Sequence, residues 1–375
     1  MQINPDSGLK NIKNLQAKRA RGWDQLFIRR TGWTGADGIY SIPMSGKETW
    51  EKNSTEKTIF LFSDSFISEV DEVNRRHGTI MVNNTVAVMN GNKPDPENIS
   101  FNWRKDKNNQ PQAIFTPDLS YAKSGDWFWL MDGIMNESEV YIFALRLEED
   151  SDHIFNFKIL GISLISFTFD SNEIGTSYKQ KDTPLFLQDE SGKMDIVFGQ
   201  AIMPLTVESA NTNIDGFIYI YGPKGSLVNK ELLAARVNPE NFTDISKWCF
   251  WDGKKWTDDI NASHPITTGI SQEFSVSPLG NNQFIVVFLK NNKVGIRIGE
   301  SPVGPFGEIK YIWDCPEIHD DPDTYVYNAK AHPHLSGPDE LLISYNVNSH
   351  NLEKHYANAD IYRPRFITLD LSSIR

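Results

Sequence analysis

The sequence predicts an all-β fold, a five-bladed β-propeller behind a short N-terminal arm, and three observations carry that expectation. From Trp23 onward, short runs of β-branched and aromatic residues alternate with Gly, Asn, Asp and Pro, the texture of strands joined by turns. No long stretch with a 3.6-residue period follows residue 22, so long helices are not expected there. One motif recurs five times: a polar residue opens a short strand, a polar turn follows, and a strongly apolar strand comes next.

Taken in order, residues 1–22 are polar and basic and predict a short helix or arm with Leu9, Ile12 and Leu15 on an apolar stripe. The first repeat runs from Ala36-Asp37-Gly38-Ile39 to Ile59-Phe60-Leu61-Phe62. Its strands, Ile39 to Met44 and Thr58 to Ser63, are expected as antiparallel neighbours, which places Asp37 and Asp64 at one sheet edge although 27 positions separate them. The second repeat runs from Met131-Asp132-Gly133-Ile134 to the strand Val140 to Leu145, and the third from Gly199-Gln200-Ala201-Ile202 to Phe217 to Tyr221. The fourth runs from Gln272-Glu273-Phe274 to Phe284 to Phe288, and the last from Ala331-His332-Pro333-His334 to Leu341 to Tyr345.

Repeat starts lie 59 to 95 residues apart, which suits decorated blades of about four strands. The first strand of each propeller blade lines the central channel, so Asp37, Asp132, Gln200, Glu273 and His332 are expected to converge on the axis. Asp64 is expected to join them from the second strand of the first blade. Ring closure is expected where Trp23 to Arg30 meets Arg363 to Leu371. The organisation is then an arm over 1–22 and one catalytic propeller domain over 23–375.

Composition narrows the partners. The chain has 375 residues, 39% of them hydrophobic and 12% aromatic, enough for a substantial core. The densest apolar segment, Phe155 to Phe169, is broken by Lys158, Gly161 and Ser163, so no run reaches the roughly 18 residues of a membrane span. With 37 Lys and Arg against 49 Asp and Glu, a nucleic-acid partner is disfavoured, and a neutral oligo- or polysaccharide fits better. The N-terminus lacks the apolar centre of a secretory signal, which leaves a cytoplasmic protein or a removed signal. Cys249 and Cys315 are too few for a disulfide framework but could pair once. The six N-x-S/T sequons of this Asn-rich chain decide nothing.

Carboxylates gathered at one funnel suit glycosidic hydrolysis, because like charges in a cleft cannot all ionise at their ordinary pKa. One can then serve as acid and another as base or nucleophile. The plainer reading of Asp37 and Asp64 as turn residues applies to each alone, and Glu273 at a strand start can simply be solvated. Trp33 and Trp127 are the aromatics expected to contact substrate together with Gln200, while Trp129, Trp251 and Trp256 also lie near the funnel. Most of the ten Trp are expected in the core. His332 either ligates a Ca or Na ion in the channel or is a buried histidine bonded to a neighbouring blade. No cofactor is required; no zinc spacing, P-loop, nucleophile elbow or dinucleotide fingerprint is present.

Gly35-Ala36-Asp37-Gly38, Phe62-Ser63-Asp64-Ser65-Phe66, Met131-Asp132-Gly133-Ile134, Trp251-Asp252-Gly253-Lys254-Lys255-Trp256, Gln272-Glu273-Phe274-Ser275-Val276 and Ser301-Pro302-Val303-Gly304-Pro305-Phe306 resemble five-bladed propeller glycoside hydrolases. The resemblance is nearest to DUF4185-type proteins, which include endo-D-arabinanases, and extends more distantly to arabinanase, xylosidase and fructosidase propellers. The DUF4185-like pattern implies Asp37 and Asp64 as acid/base and nucleophile or base. The arabinanase-like pattern implies Asp37 as base, Asp132 as pKa modulator and Glu273 as general acid. Ser63 and Ser65 beside Asp64, and Met131 before Asp132, depart from the commoner motif forms. The implied activity is hydrolysis of a furanose-containing or related glycan; a non-catalytic carbohydrate-binding propeller and a scaffold propeller are the alternatives.

Overall fold

The computed structural model describes residues 15–118, 120–151, 157–170, 174–188, 195–209, 212–226, 229–372 and 374. Leu9 and Ile12 of the expected stripe lie outside them. Five antiparallel sheets follow one another along the chain. Sheet one joins Tyr40–Pro43, Lys57–Phe62, Thr85–Asn90 and Ile99–Asn102. Sheet two joins Trp127–Asn136, Glu139–Glu149, Phe157–Thr168 and Lys179–Thr183. Sheet three is irregular and eight-stranded, built on Ala201–Pro204, Ile218–Ser226, Asn229–Val237 and Cys249–Trp251. Sheet four joins Phe274–Gly280, Gln283–Lys290, Lys293–Gly299 and Lys310–Asp314, and sheet five Thr324–Ala331, Glu340–Ser349, Pro364–Asp370 and Ala17–Arg19.

Local chemistry explains the hairpins. Asn281-Asn282 and Asn291-Asn292 link the strands of sheet four, and all four residues have positive φ, the conformation a two-residue turn between twisted strands needs and asparagine tolerates. The apolar run Phe284 to Leu289 is buried throughout because it is covered on both faces. Ile285, Val287 and Leu289 enter the core shared with sheet five, whereas Phe284, Val286 and Phe288 enter the core shared with sheet three. Cores between successive sheets are thus what the doubled apolar pattern encodes.

Tyr40–Pro43, Trp127–Asn136, Ala201–Pro204, Phe274–Gly280 and Thr324–Ala331, one strand from each of the five sheets, pack against one another in chain order, and a 2.6 Å hydrogen bond between Ser41 and His332 joins the last sheet to the first. Closure differs from the sequence expectation. Ala17–Arg19, not Trp23 to Arg30, pairs with the final strand, with Ala17 opposite Leu369 and Arg19 opposite Ile367. Residues Arg21–Leu26 form a helix instead, which plugs Trp23, Leu26 and Phe27 into the core between sheets five and one. Arg19 pins the turn between them by pairing with Asp24 at 2.7 Å and Glu317 at 2.8 Å.

Above sheet one stands a three-stranded sheet of Thr31–Ala36, Ser65–Val70 and Arg76–Val82. Cys249 and Cys315 are both free. Among the described residues no helix is long and apolar enough to cross a membrane.

Candidate active site

Two long strands change sheets together at one corner. Thr31–Ala36 pairs with Ser65–Val70, and after the corner Tyr40–Pro43 pairs with Lys57–Phe62. At the corner the Asp37 N–H donates to the Asp64 carbonyl at 3.2 Å, and the Ser63 N–H donates to the Asp37 carbonyl at 2.9 Å. Gly38 makes the bend with φ of 76°, and a Cβ there would lie 2.8 Å from Ser63 Oγ. The corner therefore requires glycine, and it sets Asp37 beside Asp64 as the sequence spacing predicts.

Both residues are half-buried, although Asp37 Oδ1 is itself out of solvent contact. Asp64 Oδ1 accepts from Trp129 Nε1 at 2.8 Å and from Asn83 Nδ2 at 3.3 Å. Burial outweighs these two donors and raises its pKa to about 6. Asp37 Oδ2 accepts from the Tyr327 hydroxyl at 2.8 Å. The Tyr362 hydroxyl adds a weaker favourable interaction with this carboxylate, while Oδ1 has no partner of good geometry. Burial, then the charges of Asp64 and Glu273, push Asp37 up to about 8. Near neutral pH one carboxyl of the pair keeps its proton and its neighbour has lost one.

Glu273, whose charge acts on Asp37, is pinned on both oxygens. Glu273 Oε1 accepts from Asn328 Nδ2 at 2.9 Å, and Oε2 pairs with the ammonium of Lys330. Lys330 is 2% exposed and sits over the Tyr40 ring, 3.8 Å from its centroid. Burial lowers its pKa, opposed first by the charge of Glu273. The Tyr40 hydroxyl donates to Gln200 Oε1 at 2.6 Å. Gln200 directly precedes Ala201–Pro204 of sheet three and Glu273 the first strand of sheet four, so each opens a strand as expected, but Gln200 is buried and bonded to Tyr40 rather than open to a ligand.

At Asp132 the expected single funnel divides. Asp132 does not open its strand; it sits within Trp127–Asn136 at an irregularity between Leu130 and Gly133. Its Oδ2 accepts from the Ile202 N–H at 2.7 Å and its Oδ1 from the Gly133 N–H at 2.9 Å. Burial still raises it to about 8, helped by Glu48. A cavity lined by Asp132, Glu48, Tyr40, Ser41, Lys330 and His332 lies on this side, and neither Asp37 nor Asp64 lines it. Tyr40 and Lys330 interact with Glu273, Asp132 and Asp37 alike.

Three further expectations meet a different arrangement. Trp33 is 1% exposed and stacks on Phe101 at 4.4 Å within the aromatic core, so it has no surface to offer a substrate. His332 follows the strand Thr324–Ala331 instead of opening it, because that polar strand precedes the motif read as the repeat start. Its Nδ1 bonds Ser41 Oγ at 2.6 Å and its Nε2 bonds Ser344 Oγ at 2.8 Å, and burial pushes its pKa well down. With both nitrogens engaged, and no group of three His, Cys, Asp or Glu among the described residues arranged to hold a metal, these side chains do not fit a directly ligated cation. Trp127 stays half-buried beside Trp129, ring centroids 6.4 Å apart, and Phe157 packs on Trp129 at 4.6 Å.

Sequence reasoning missed Lys330, Tyr327 and Asn83, and placed Trp129 near the funnel without assigning it as the donor that holds Asp64. A lysine between Ala329 and Ala331 in a strand was the available signal for the first. Asn83 was noticed only as a sequon.

A family model described as Domain of unknown function (DUF5005) matches residues 21–370; the DUF4185 likeness of the short motifs is not the family that matches. No curated protein matches the chain. A solved structure from Bacteroides ovatus, provisionally called a hydrolase, superposes with a TM-score of 0.71 at 18% identity over 97% of both chains. A glycosyl hydrolase from the same organism gives 0.47 at 9% identity over 98% of this chain and 97% of its own. A thermostable family-43 glycoside hydrolase gives 0.40 at 14% identity over 89% of each chain. At such identities the first likeness speaks for the fold alone, and the two lower scores carry no argument.

Proposed function

The chain belongs to the DUF5005 family, and from its own site we propose that it is a glycoside hydrolase built on a five-bladed β-propeller. Five successive sheets, one strand from each packed in chain order and a last sheet completed by Ala17–Arg19 support the blade count. The domain so formed runs essentially from Trp23 onward, with the preceding arm supplying the closing strand.

The observation that carries the activity is the Asp37–Asp64 corner, where neighbouring carboxyls have proton affinities set apart by burial and charge. Asp37, protonated near neutral pH, is the general acid that hands its proton to the leaving-group oxygen as the glycosidic bond breaks. Asp64, ionised above about pH 6, either takes a proton from the attacking water or attacks the anomeric carbon itself. Trp129 and Asn83 hold Asp64, and Tyr327 holds Asp37. The arabinanase-like assignment of Glu273 as acid fits less well, since both its oxygens already accept from Asn328 and Lys330. Glu273 and Asp132 are better placed to set the field around Asp37 and Lys330.

A neutral glycan, furanose-containing or related, is the substrate class, with the half-buried Trp127 beside Trp129 as the aromatic that would meet it. Lys330 is committed to Glu273, which disfavours a uronate. A carbohydrate-binding protein using the same carboxylates is the second reading, since accepting hydrogen bonds from sugar hydroxyls needs no proton transfer and no nucleophile. A hydrolysis screen over arabinan, xylan, fructan and mixed oligosaccharides, with Asp37→Asn and Asp64→Asn beside wild type, decides between them. Sugar release by wild type alone is expected. Saturable glycan binding by all three proteins without release would establish the binding reading.

A further inference from the structure

A chain of hydrogen bonds reaches Asp37 from the helix Leu352–Ala357, and its direction is fixed by one backbone group. His355 Nε2 lies 2.6 Å from Asn348 Oδ1, Asn348 Nδ2 lies 3.0 Å from the Tyr327 hydroxyl, and that hydroxyl lies 2.8 Å from Asp37 Oδ2. The Ser349 N–H also points at Asn348 Oδ1, at 2.7 Å. A backbone N–H can only donate, so Oδ1 is the acceptor side of the Asn348 amide. His355 Nε2 must then carry a hydrogen, and Asn348 Nδ2 must donate to the Tyr327 oxygen. Tyr327, with its oxygen so engaged, turns its own hydrogen to Asp37. Protonating His355 at Nδ1, which faces the Leu352 carbonyl at 3.2 Å, leaves this direction unchanged.

The far end of the chain is anchored as firmly as the near end. Arg76 is 4% exposed and gives its hydrogen bonds to the carbonyls of His355, Thr34, Ala359 and Ile361 and to the Thr34 hydroxyl. It thereby straps the segment that carries His355 onto the strand leading into Asp37. His355 packs between Phe66 and Tyr362, at 5.8 and 5.5 Å between centroids. Gly35 lets the strap lie this close, since a Cβ there would sit 2.4 Å from the Tyr362 carbonyl oxygen and 2.6 Å from Arg76 Nη2.

We propose that Asn348 is a positioning residue for Asp37: held by Ser349 and His355, it obliges the Tyr327 hydroxyl to donate to the Asp37 carboxylate. The inference rests on the reading of Asp37 as the acid of the pair, and it adds how that acid is kept within reach of neutral pH. Asp64 and Glu273 face Asp37 with negative charge from two elements, Tyr325, Tyr327 and Tyr362 face it with hydroxyls, and Lys330 and Tyr40 lie beyond. Among these the donated Tyr327 hydrogen bond is the best-formed contact opposing the others.

The test reads the Asp37 carboxyl directly, by 13C NMR titration of protein labelled at aspartate carboxyls, with Asp37→Asn identifying its signal. No substrate is involved, so a failed hydrolysis screen would overturn the glycosidase reading without touching this result, and the converse holds. Tyr327→Phe is expected to raise the Asp37 midpoint by about one pH unit or more. Asn348→Asp is expected to raise it too, since a carboxylate at that position accepts the Tyr327 hydrogen and adds charge. In the Tyr327→Phe background only the charge remains, so the shift caused by Asn348→Asp should shrink. Equal shifts in the two backgrounds would overturn the proposal. Asn348→Leu gives the same cycle without added charge: a rise in the native background and none in the Tyr327→Phe background is expected, and a rise surviving in both would also overturn it.

Discussion

Replacing Asp37 by asparagine is expected to make the protein more stable while removing its activity, and the gain should depend on pH. Asp37 is raised from 3.8 to about 8, chiefly by burial and then by Asp64 and Glu273. A folded-state pKa above the unfolded one means that the folded chain binds this proton more tightly. Stability present below about pH 4 is therefore lost as pH rises towards 8, with little further loss above it. A four-unit displacement corresponds to at most about 5–6 kcal/mol; the partial exposure of the residue and the coupling to Asp64 reduce it to something on the order of 2–4 kcal/mol. Asparagine keeps an acceptor for Tyr327 and has no charge to bury. For a chain of 375 residues the gain amounts to roughly 3–5 °C in Tm. Thermal melts of wild type and Asp37→Asn at pH 4, 6 and 8.5 should diverge progressively. A difference independent of pH, or a variant less stable at pH 8.5, would refute the claim that Asp37 is held at a cost to the fold.

Three other outcomes follow from the same geometry. Trp129→Phe removes a donor that lowers the Asp64 pKa, so the acid limb of the pH–rate profile should move up by about one unit; an unmoved limb would detach Asp64 from it. Lys330→Met leaves the Glu273 carboxylate without its ion-pair partner and should cost about 3–5 kcal/mol in urea unfolding, much of it recovered when Glu273→Gln is added. Deleting the chain up to Arg19 uncovers the edge of Pro364–Asp370, and a lowered Tm with a tendency to associate is expected; an unchanged Tm would sink the closure by Ala17–Arg19.

How much was legible in the sequence follows from how far each signal reaches along the chain. The strands of sheet one, and with them the Asp37–Asp64 corner, were readable because a glycine turn and two apolar runs lie within about 30 residues of each other. The openings at Gln200 and Glu273 were readable because each directly precedes an alternating strand. Asp132 and His332 were displaced along the channel because a repeat motif fixes a strand's neighbourhood but not its first residue. Thr324–Ala331 reads TYVYNAKA, too polar to stand out as a first strand, and so His332 was taken for its opening. Trp33 looked like a surface aromatic because Gly32, Thr34 and Gly35 surround it; only the packing of Phe27, Phe62 and Phe101 places it in the core.

The relay behind Asp37 shows why the remainder could not have been read. His355, Asn348, Tyr327 and Asp37 come from four separate segments, and each looks ordinary alone: a loop-like histidine, an asparagine between polar residues, one tyrosine of twelve. Their meaning arises when Arg76 straps one segment onto another, an effect with no local sequence signature. The same holds for the partition of the acidic residues. Residue counting along the repeats predicts one funnel of like charges, whereas burial first and then Asp64 and Glu273 raise Asp37, and burial first, helped by Glu48, raises Asp132. With Lys330 tied to Glu273, no salt bridge reaches Asp37 or Asp64 among the described residues, and on the proposed reading this is what leaves the Asp37 proton available near neutral pH.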